Sequence, residues 1–276
     1  MTNLRTEPSH TPVDPKVTER AQLFRTTFDR YVAHTDGKEK LARELAGLAR
    51  SMQATRLLDL GAGNGLLTRL LSPHFRSIIA VEHNRAFAEA LERIPNTAPV
   101  ISKMEDYVPA EPIDLVLMVY SLEGIPVERL GQTLSRLFSH LAPGGKILFV
   151  TQEEGCPGDL CAERFYHALG LPLLGGARRQ RDELRRAGFD VRHLSSVDTF
   201  LWARDTTALL DVLEFFVLDG IDTYRASGPT FERLLNDLIE PFPGERVALR
   251  TVESIYEVVR PVEGTARKEA IREGNS

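Results

Sequence analysis

Seven residues in the first quarter of the chain combine three glycines with one carboxylate: Asp59-Leu60-Gly61-Ala62-Gly63-Asn64-Gly65. They follow the apolar run Arg56–Leu60 and precede the apolar periodicity that begins at Leu66, so we predict that they join a buried strand to a helix. Glycine tolerates a positive φ and lets a ligand approach the backbone closely. Because the N-terminus of a helix presents unpaired N–H groups, this turn is predicted to hold an anionic group of a ligand.

Three known kinds of turn resemble this one in part. A dinucleotide-binding fingerprint requires Gly-x-Gly-x-x-Gly, but Leu66 stands at the last glycine position, and that motif has no need of Asp59. A P-loop requires Gly-Lys followed by Ser or Thr, which does not occur here. An ordinary tight turn binds no ligand. The acidic residue two positions before the first glycine, together with the flanking elements, favours a ligand-binding turn of another type.

The second predicted strand also ends in a carboxylate. Residues 78–81 form an apolar run that ends at Glu82, 17 residues after Gly65. A carboxylate at such a strand tip can accept hydrogen bonds from both hydroxyls of a ribose, as an acidic residue does in dinucleotide sites. The alternative is an exposed glutamate with no ligand. We predict that Glu82, with its neighbour His83, contributes to the same site as the glycines.

The glycine-rich turn resembles the Asp-x-Gly-x-Gly-x-Gly motif of class I S-adenosylmethionine-dependent methyltransferases, and the resemblance covers about residues 55–151. It implies S-adenosylmethionine as the cofactor, with its methionine carboxylate at the glycines and its ribose at Glu82. It also implies that the loop after the third strand contacts the adenine. Lys103 stands in this loop where many family members have an aspartate. The alternative is that this acidic loop is solvated and contacts no ligand. The donor-binding residues so implied are Asp59, Gly61, Ala62, Gly63, Gly65, Glu82, His83, Met104, Glu105, Val119 and Tyr120.

Outside this region the sequence is similar, at low specificity, to the histamine N-methyltransferase family. The similar segments are Phe24-x-x-x-Phe28-x-x-Tyr31-Val32-x-His34-Thr35-Asp36, Ser195-Ser196-Val197-Asp198, residues 209–218 and Leu238-Ile239-Glu240-Pro241. This resemblance implies a helical lid before the first strand and a small acceptor, often an amine, enclosed by helices. Three departures make histamine itself an unexpected acceptor: Gly37 where the family has an acid that meets the amine, Tyr120 for a glutamine, and Glu123-Gly124 for two tyrosines.

Methyl transfer from a sulfonium is an in-line displacement that needs no covalent enzyme intermediate. Alignment of the two reactants supplies roughly 7–11 kcal/mol of such a barrier. An amine must be neutral to attack, and a hydroxyl generally needs a base. The candidate catalytic residues are Tyr120, Glu123 and His34, and the candidate acceptor-binding residues are Phe24, Phe28, Asp36, Glu153 and Trp202. For each of these a structural role is the alternative, such as core packing for Tyr120 and Trp202 or a helix end for His34.

The elements that must position these residues alternate between strand and helix. The alternation predicts an α/β fold with a Rossmann-like, doubly wound sheet of seven mostly parallel strands. We expect a flexible leader at 1–18, a methyltransferase domain at 19–262 and a flexible tail at 263–276. Within the domain, a helical insertion is predicted at about 204–245, with helices at 206–218 and 231–239. The N-terminal helices are predicted to form a lid.

Composition limits the classes of partner. The formal net charge is −5, which argues against a large nucleic-acid surface. The two cysteines complete no zinc pattern, and no metal site is expected. No segment has the apolar length of a signal peptide or a membrane span, so we expect a cytoplasmic monomer or homodimer. The predicted function is methyl transfer to a nitrogen or oxygen of a small molecule. The alternatives are an RNA or protein methyltransferase and a non-catalytic S-adenosylmethionine-binding module.

Overall fold

The computed structural model describes residues 15–172 and 176–260. Helix α1 begins at Pro15, inside the segment predicted as a leader. The rest of that segment and the predicted tail lie outside the described residues.

Within residues 15–172 and 176–260, eight strands form one sheet. They are β1 (Arg56–Leu60), β2 (Ser77–Glu82), β3 (Thr97–Ile101), β4 (Ile113–Val119), β5 (Leu141–Gln152), β6 (Asp190–Ala203), β7 (Ile239–Phe242) and β8 (Arg246–Val259). Seven of them follow the order β3-β2-β1-β4-β5-β8-β6. The neighbours from β3 to β5 are parallel, and β8 is antiparallel to both β5 and β6. The predicted seven-stranded, mostly parallel sheet is confirmed.

The eighth strand, β7, is an addition that the sequence did not predict. A helix was expected through residue 239, but the last helix of the insertion ends at Leu235. The chain then pairs with the first residues of β8, from Ile239 opposite Leu249 to Phe242 opposite Arg246. Pro241 lacks an N–H, which a short edge strand tolerates and a helix interior does not.

Helices cover both faces of the sheet and one end of it. They are α1 (Pro15–Ala33), α2 (Gly37–Ser51), α3 (Leu66–Leu71), α4 (Arg85–Glu92), α5 (Val127–Ser139), α6 (Pro157–Leu169), α7 (Ala177–Arg186), α8 (Thr206–Leu213), α9 (Ile221–Ala226) and α10 (Gly228–Leu235). A 3-10 helix, Glu214–Gly220, joins α8 to α9. None of the described helices has the length and apolar character needed to cross a bilayer.

The alternation of side chains along the strands builds a core on each face. Leu57 and Leu115 pack with α2 on one face, through residues such as Leu41. Their neighbours Leu58 and Val116 point the other way and pack with α5 and α7. This follows from the two-residue period of a strand. A third apolar cluster joins α6, α8 and α10 to the far ends of β6 and β8, and it anchors the helical insertion.

The order of the strands reverses between β1 and β4. From β1 the chain proceeds outward to β2 and β3, and it then returns to β4 on the other side of β1. Doubly wound sheets bind ligands in the crevice at the carboxyl ends of such a pair. Here the crevice lies between the glycine-rich turn after β1 and residues 120–121 after β4. The Ser121 hydroxyl donates to the carbonyl of Leu60 over 2.7 Å and joins the two strand ends.

Candidate active site

The three glycines after β1 all have a positive φ, but the space around each one differs. The angles are 80° at Gly61, 56° at Gly63 and 76° at Gly65. A Cβ on Gly61 would lie 2.5 Å from the Ser121 Cβ, and one on Gly65 would lie 2.7 Å from Leu91. A Cβ on Gly63 would meet no described atom within 4 Å. Gly61 and Gly65 are therefore required for packing, whereas Gly63 faces open space at the ligand crevice.

Replacing Gly63 with alanine is expected to weaken donor binding by about ten-fold, since the new methyl group enters space that a ligand would use. The matched control is Gly144→Ala, at the opposite end of the sheet. Gly144 has a φ of 80° and equally open surroundings, so both variants carry the same kind of backbone strain. Calorimetric titration of S-adenosylmethionine measures the difference. Equal affinities in the two variants would contradict a ligand contact at Gly63.

The carboxylate of Glu82 is buried against the glycine-rich turn. One oxygen accepts from the Gly63 N–H over 2.9 Å and the other accepts from the Asn84 N–H over 2.8 Å. His83 lies 3.1 Å from the second oxygen, but its own side chain is 75% exposed. Each carboxylate oxygen has a second lone pair and can accept one more bond. Glu82 is thus oriented by the loop, and its contact with a ribose stays a prediction.

The carboxylate of Asp59 is buried below the same turn. It accepts a hydrogen bond of 2.6 Å from the Thr68 hydroxyl. Burial raises the pKa of Asp59 to about 6, while the Thr68 bond and the charge of Lys38 lower it. The neighbouring charge of Glu82 raises it further. The ligand-free site therefore holds a carboxylate that is costly to ionise.

This burial predicts how the stability of the ligand-free chain depends on pH. An exposed aspartate has a pKa near 3.9, so ionising Asp59 at about 6 costs the folded state about 3 kcal/mol. Because the pKa is raised on folding, the stability is present below pH ~4 and is lost as the pH rises through about 6. We expect Asp59→Asn to match the wild type near pH 4 and to be more stable at pH 7.5. Urea unfolding at both pH values measures this, and a wild-type advantage at pH 7.5 would contradict it.

A cavity of about 370 Å³ adjoins the glycine-rich turn. Its floor includes Gly61 and Gly63. One side is the aromatic wall, which we define as Phe24, Phe28, Tyr31, Phe215 and Phe216. The rings of the wall contact one another, with centroids 5.2–6.1 Å apart. The wall joins the predicted lid helix α1 to the insertion.

Ion pairs tie the two halves of the aromatic wall together. Arg30 of α1 donates to the Glu214 carboxylate over 2.9 Å, and Arg225 of α9 donates to the same carboxylate over 2.6 Å. Glu214 itself is buried. The hydrogen bond from Arg225 and the charges of both arginines lower the pKa of Glu214, against the opposing effect of burial. Helix α1 is therefore held over the cavity by the insertion.

Polar groups also meet at the lining of the cavity. Tyr120, directly after β4, has a φ of 52°, which is uncommon for a residue with a large side chain. Its hydroxyl donates to the carboxylate of Glu253 on β8. The Thr199 hydroxyl donates to the other oxygen of that carboxylate over 3.4 Å. Burial raises the pKa of both Tyr120 and Glu253, and the bond from Tyr120 lowers that of Glu253.

Lys38, in the first turn of α2, also lines the cavity. Its ammonium lies 5.8 Å from the centroid of the Tyr120 ring. Burial lowers the pKa of Lys38, and the charges of Glu253 and Asp59 oppose this effect. The sequence did not single out Lys38, Glu253, Phe215 or Phe216 as site residues. The only available signal for Glu253 was a charge within a strand, and that signal equally fits an exposed edge.

Several predicted residues do lie at the cavity. Phe24, Phe28, Ala62, Tyr120 and Glu123 line it, and Glu123 is held by a 3.0 Å bond from Gln180. Met104 lies beside Gly61 at its edge, whereas Glu105 does not line it. The Met104 sulfur is 3.5 Å from the point where a Cβ on Gly61 would stand. Glu105 is buried and turns towards Arg129, with an oxygen 3.7 Å from that guanidinium. Val119, at the end of β4, is half-buried against the core.

Four residues that were predicted at the site are not among the described residues that line the cavity. Their side chains make contacts elsewhere. His34 binds the carbonyl of Arg30 over 2.9 Å through its ring nitrogen. Asp36 accepts from the Phe200 N–H and pairs with Lys40. Glu153 accepts from the Ser254 hydroxyl. Trp202 stacks on Phe242 with centroids 5.3 Å apart. Each side chain has a local partner, which explains why it does not turn inward.

The residues present fit a methyl donor with a carboxylate, a ribose and a cationic sulfur. Gly63 leaves space beside the backbone, and Glu82 has acceptor capacity there. Asp59 and Glu253 place negative charge near the cavity. In the described ranges, no cluster of three or more His, Cys, Asp or Glu side chains has the arrangement of a metal site.

A family model described as "Methyltransferase domain" matches residues 28–204 of the chain, well over half of it. Two curated relatives are both named trans-aconitate 2-methyltransferase. The protein of Variovorax paradoxus (strain S110) is 31% identical over 119 residues, or 42% of this chain and 45% of its own length. That of Rhizobium leguminosarum bv. trifolii (strain WSM2304) is 28% identical over 142 residues, or 50% of this chain and 55% of its own length. The chain thus spans about half the length of these relatives.

Solved structures extend the likeness at the level of the fold. The YcgJ protein from Bacillus subtilis superposes with a TM-score of 0.53 at 14% identity, covering 80% of this chain and 100% of the other. A putative type II methyltransferase from Anaeromyxobacter dehalogenans superposes with a TM-score of 0.51 at 18% identity, covering 78% and 95%. At these identities the likeness concerns the arrangement of strands and helices.

Proposed function

We propose that this chain, which belongs to the methyltransferase domain family, is a class I methyltransferase that uses S-adenosylmethionine. The proposed reaction is methylation of a nitrogen or oxygen of a small molecule inside the cavity described above. One observation carries the proposal: the same cavity of about 370 Å³ touches both the glycine-rich turn and the aromatic wall. Pockets of this size bind small molecules. A polymer would require the aromatic wall to open.

The donor would be held at the glycine-rich turn. Gly63 allows close approach of the backbone, and Glu82 would accept from the ribose hydroxyls. We assign the methionine carboxylate to Lys38, which lines the same cavity as the turn and makes no ion pair within 4.0 Å among the described residues. When bound, S-adenosylmethionine supplies a methyl carbon that its sulfonium already activates. The adenine contact is assigned to the loop of Met104.

The chain contributes alignment, exclusion of water and a place for the proton. The aromatic wall shields the cavity, and its rings restrict how the acceptor lies over the strand ends. Such alignment supplies roughly 7–11 kcal/mol of a bimolecular barrier. Glu253 is the proposed proton acceptor, since its carboxylate lines the cavity and burial raises its pKa above the usual range of a glutamate, which makes it a stronger base. Tyr120 positions that carboxylate through its hydroxyl.

The lid assignment also supports a small acceptor. Phe24, Phe28 and Tyr31 belong to the segment that is similar to the histamine N-methyltransferase lid, and all three line the cavity. The relatives named trans-aconitate 2-methyltransferase carry the name of a small-molecule enzyme. The relation to histamine N-methyltransferases stays a prediction, as does the acceptor atom.

The test follows transfer of a labelled methyl group from S-adenosylmethionine to a panel of amines, phenols, carboxylic acids, RNA and denatured protein. We expect product only with small molecules. Shortening the insertion within residues 206–239 is expected to reduce acceptor affinity more than donor affinity. Donor binding without transfer to any acceptor would instead indicate a binding module, and transfer to RNA or protein would indicate a polymer methyltransferase.

A further inference from the structure

We propose that the acceptor is a small amine with an apolar body, and that Glu253 holds its nitrogen and takes its proton. This inference rests on the proposed function and names the substrate class of the same cavity. It differs from what the names of the curated relatives suggest, since trans-aconitate is a tricarboxylate.

Glu253 is a buried carboxylate that forms no direct ion pair with another described residue, although the charge of Lys38 acts on it and lowers its pKa. It is 5% exposed, and its hydrogen bonds come from the hydroxyls of Tyr120 and Thr199, both neutral donors. Within the described part of the chain, no Lys, Arg or His nitrogen lies within 4.0 Å of it. Buried charges are normally paired, because desolvation of an isolated ion is costly. An unpaired carboxylate that faces a cavity is therefore suited to a cationic ligand.

The charges that line the cavity also favour a cationic acceptor over an anionic one. Two carboxylates, Glu253 and Glu123, line it together with one cation, Lys38. Lys38 is assigned to the donor carboxylate, and Asp59 adds negative charge behind it. An acceptor with several carboxylates would meet this negative surface after losing its own hydration. A cationic amine would complete an ion pair there.

The aromatic wall and a narrow side pocket fit the apolar body of such an amine. Faces of aromatic rings attract ammonium groups, and six rings line this cavity: the five of the aromatic wall and that of Tyr120. A side pocket of about 30 Å³ shares Leu201 and Phe216 with it, and Cys161, Phe165 and Leu249 line its inner end. This volume holds about two water-sized groups. It therefore accommodates a short apolar substituent.

The transfer step balances without a further reactant. The bound ammonium gives one proton to the Glu253 carboxylate, which leaves a lone pair on nitrogen. The nitrogen forms a bond to the methyl carbon, while the carbon–sulfur bond breaks and its electron pair stays on sulfur. The products are the N-methylated ammonium and S-adenosylhomocysteine. Glu253 then releases its proton to solvent.

The experiment measures binding to the full chain saturated with S-adenosylhomocysteine, by calorimetry at pH 7.5. The probes are phenethylamine, ethylamine, 3-phenylpropanoate and trans-aconitate. We expect phenethylamine to bind at least ten-fold more tightly than each of the others. Glu253→Gln is expected to weaken phenethylamine about 30-fold, since a hydrogen-bonded charge pair is lost. The affinities of the amine and the carboxylates are compared in the wild-type chain alone. This comparison therefore tests the inference even if Glu253→Gln fails to fold.

The matched control is Glu257→Gln. Glu257 is also a buried carboxylate of β8 and points to the same face, but it pairs with Lys146 and Arg192 away from the cavity. We expect this control to change phenethylamine affinity less than two-fold. Equal or tighter binding of the carboxylates, or equal effects of the two variants, would overturn the inference. Methyl transfer to an acid or alcohol would overturn the inference of an amine acceptor and leave the proposed function standing. Donor binding without any transfer would overturn the proposed function.

Discussion

Replacing Glu82 with alanine is expected to raise the dissociation constant for S-adenosylmethionine about 100-fold. The carboxylate of Glu82 is buried, and the loop orients it through the N–H groups of Gly63 and Asn84. Hydrogen bonds to a charged group contribute about 1.5–3 kcal/mol each, and a ribose offers two donors. Alanine also removes the anchor of Gly63, so the turn loses part of its fixed shape. Because 100-fold equals about 2.7 kcal/mol, the expected loss corresponds to the upper part of the range for one such bond and is a conservative figure for two.

Calorimetric titration of donor into the folded variant measures this effect. The control is Glu111→Ala, which removes an exposed carboxylate paired with Arg56. Melting curves of both variants would establish that each is folded. An affinity within three-fold of the wild type in folded Glu82→Ala would show that the ribose lies elsewhere. The same titration with S-adenosylhomocysteine should give a similar loss, because the ribose contact does not involve the methyl group.

Local signals explain what the sequence predicted well. The strand before Gly61, the turn itself and the following helix are all encoded within about a dozen neighbouring residues. The parallel order then follows from the alternation of strands and helices, since crossovers between parallel strands need a helix. The lid aromatics Phe24 and Phe28 share a face of one helix, which a helical period reveals. These features needed no information about distant parts of the chain.

The polar side of the cavity depends on contacts between distant segments. Glu253 reaches Tyr120 across 133 positions of sequence, and Phe215 reaches Tyr31 only because the insertion folds back. By its resemblance to the histamine N-methyltransferase family, the chain should have an acidic residue at position 37, but Gly37 stands there. An oxygen of Glu253 lies 3.8 Å from the point where a Cβ on Gly37 would stand. A carboxylate of β8 thus lies close to the position of Gly37, and no pattern near Gly37 could have indicated it.

The residues that were expected at the cavity but lie elsewhere have a common explanation. Asp36, Glu153 and Trp202 were predicted to bind the acceptor. In the structure Asp36 precedes α2, Glu153 follows β5 and Trp202 lies near the end of β6. The direction of each side chain depends on partners such as Phe200, Ser254 and Phe242. A residue at a strand end can face either side, and only the neighbouring elements decide between them.

Replacing Tyr120 with phenylalanine is expected to lower kcat about 30- to 100-fold. The Tyr120 hydroxyl donates to the Glu253 carboxylate, which is the proposed proton acceptor. A backbone with a φ of 52° at a tyrosine costs free energy that surrounding contacts must offset, which is common at functional sites. Phenylalanine keeps this backbone and the ring. The substitution therefore changes the hydroxyl alone.

The dependence of kcat on pH distinguishes this role from simple packing. The hydrogen bond from Tyr120 lowers the pKa of Glu253, against the larger opposing effect of burial. Its loss raises that pKa further, and the base must be ionised to act. The acidic limb of the profile should therefore move to higher pH in Tyr120→Phe. Tyr256→Phe is the control. Tyr256 lies on β8, as Glu253 does, and the substitution removes a tyrosine hydroxyl that accepts a 2.7 Å hydrogen bond from Arg181 outside the cavity. A lower kcat with an unmoved limb would mean that Tyr120 acts on the shape of the cavity and does not position the proton acceptor.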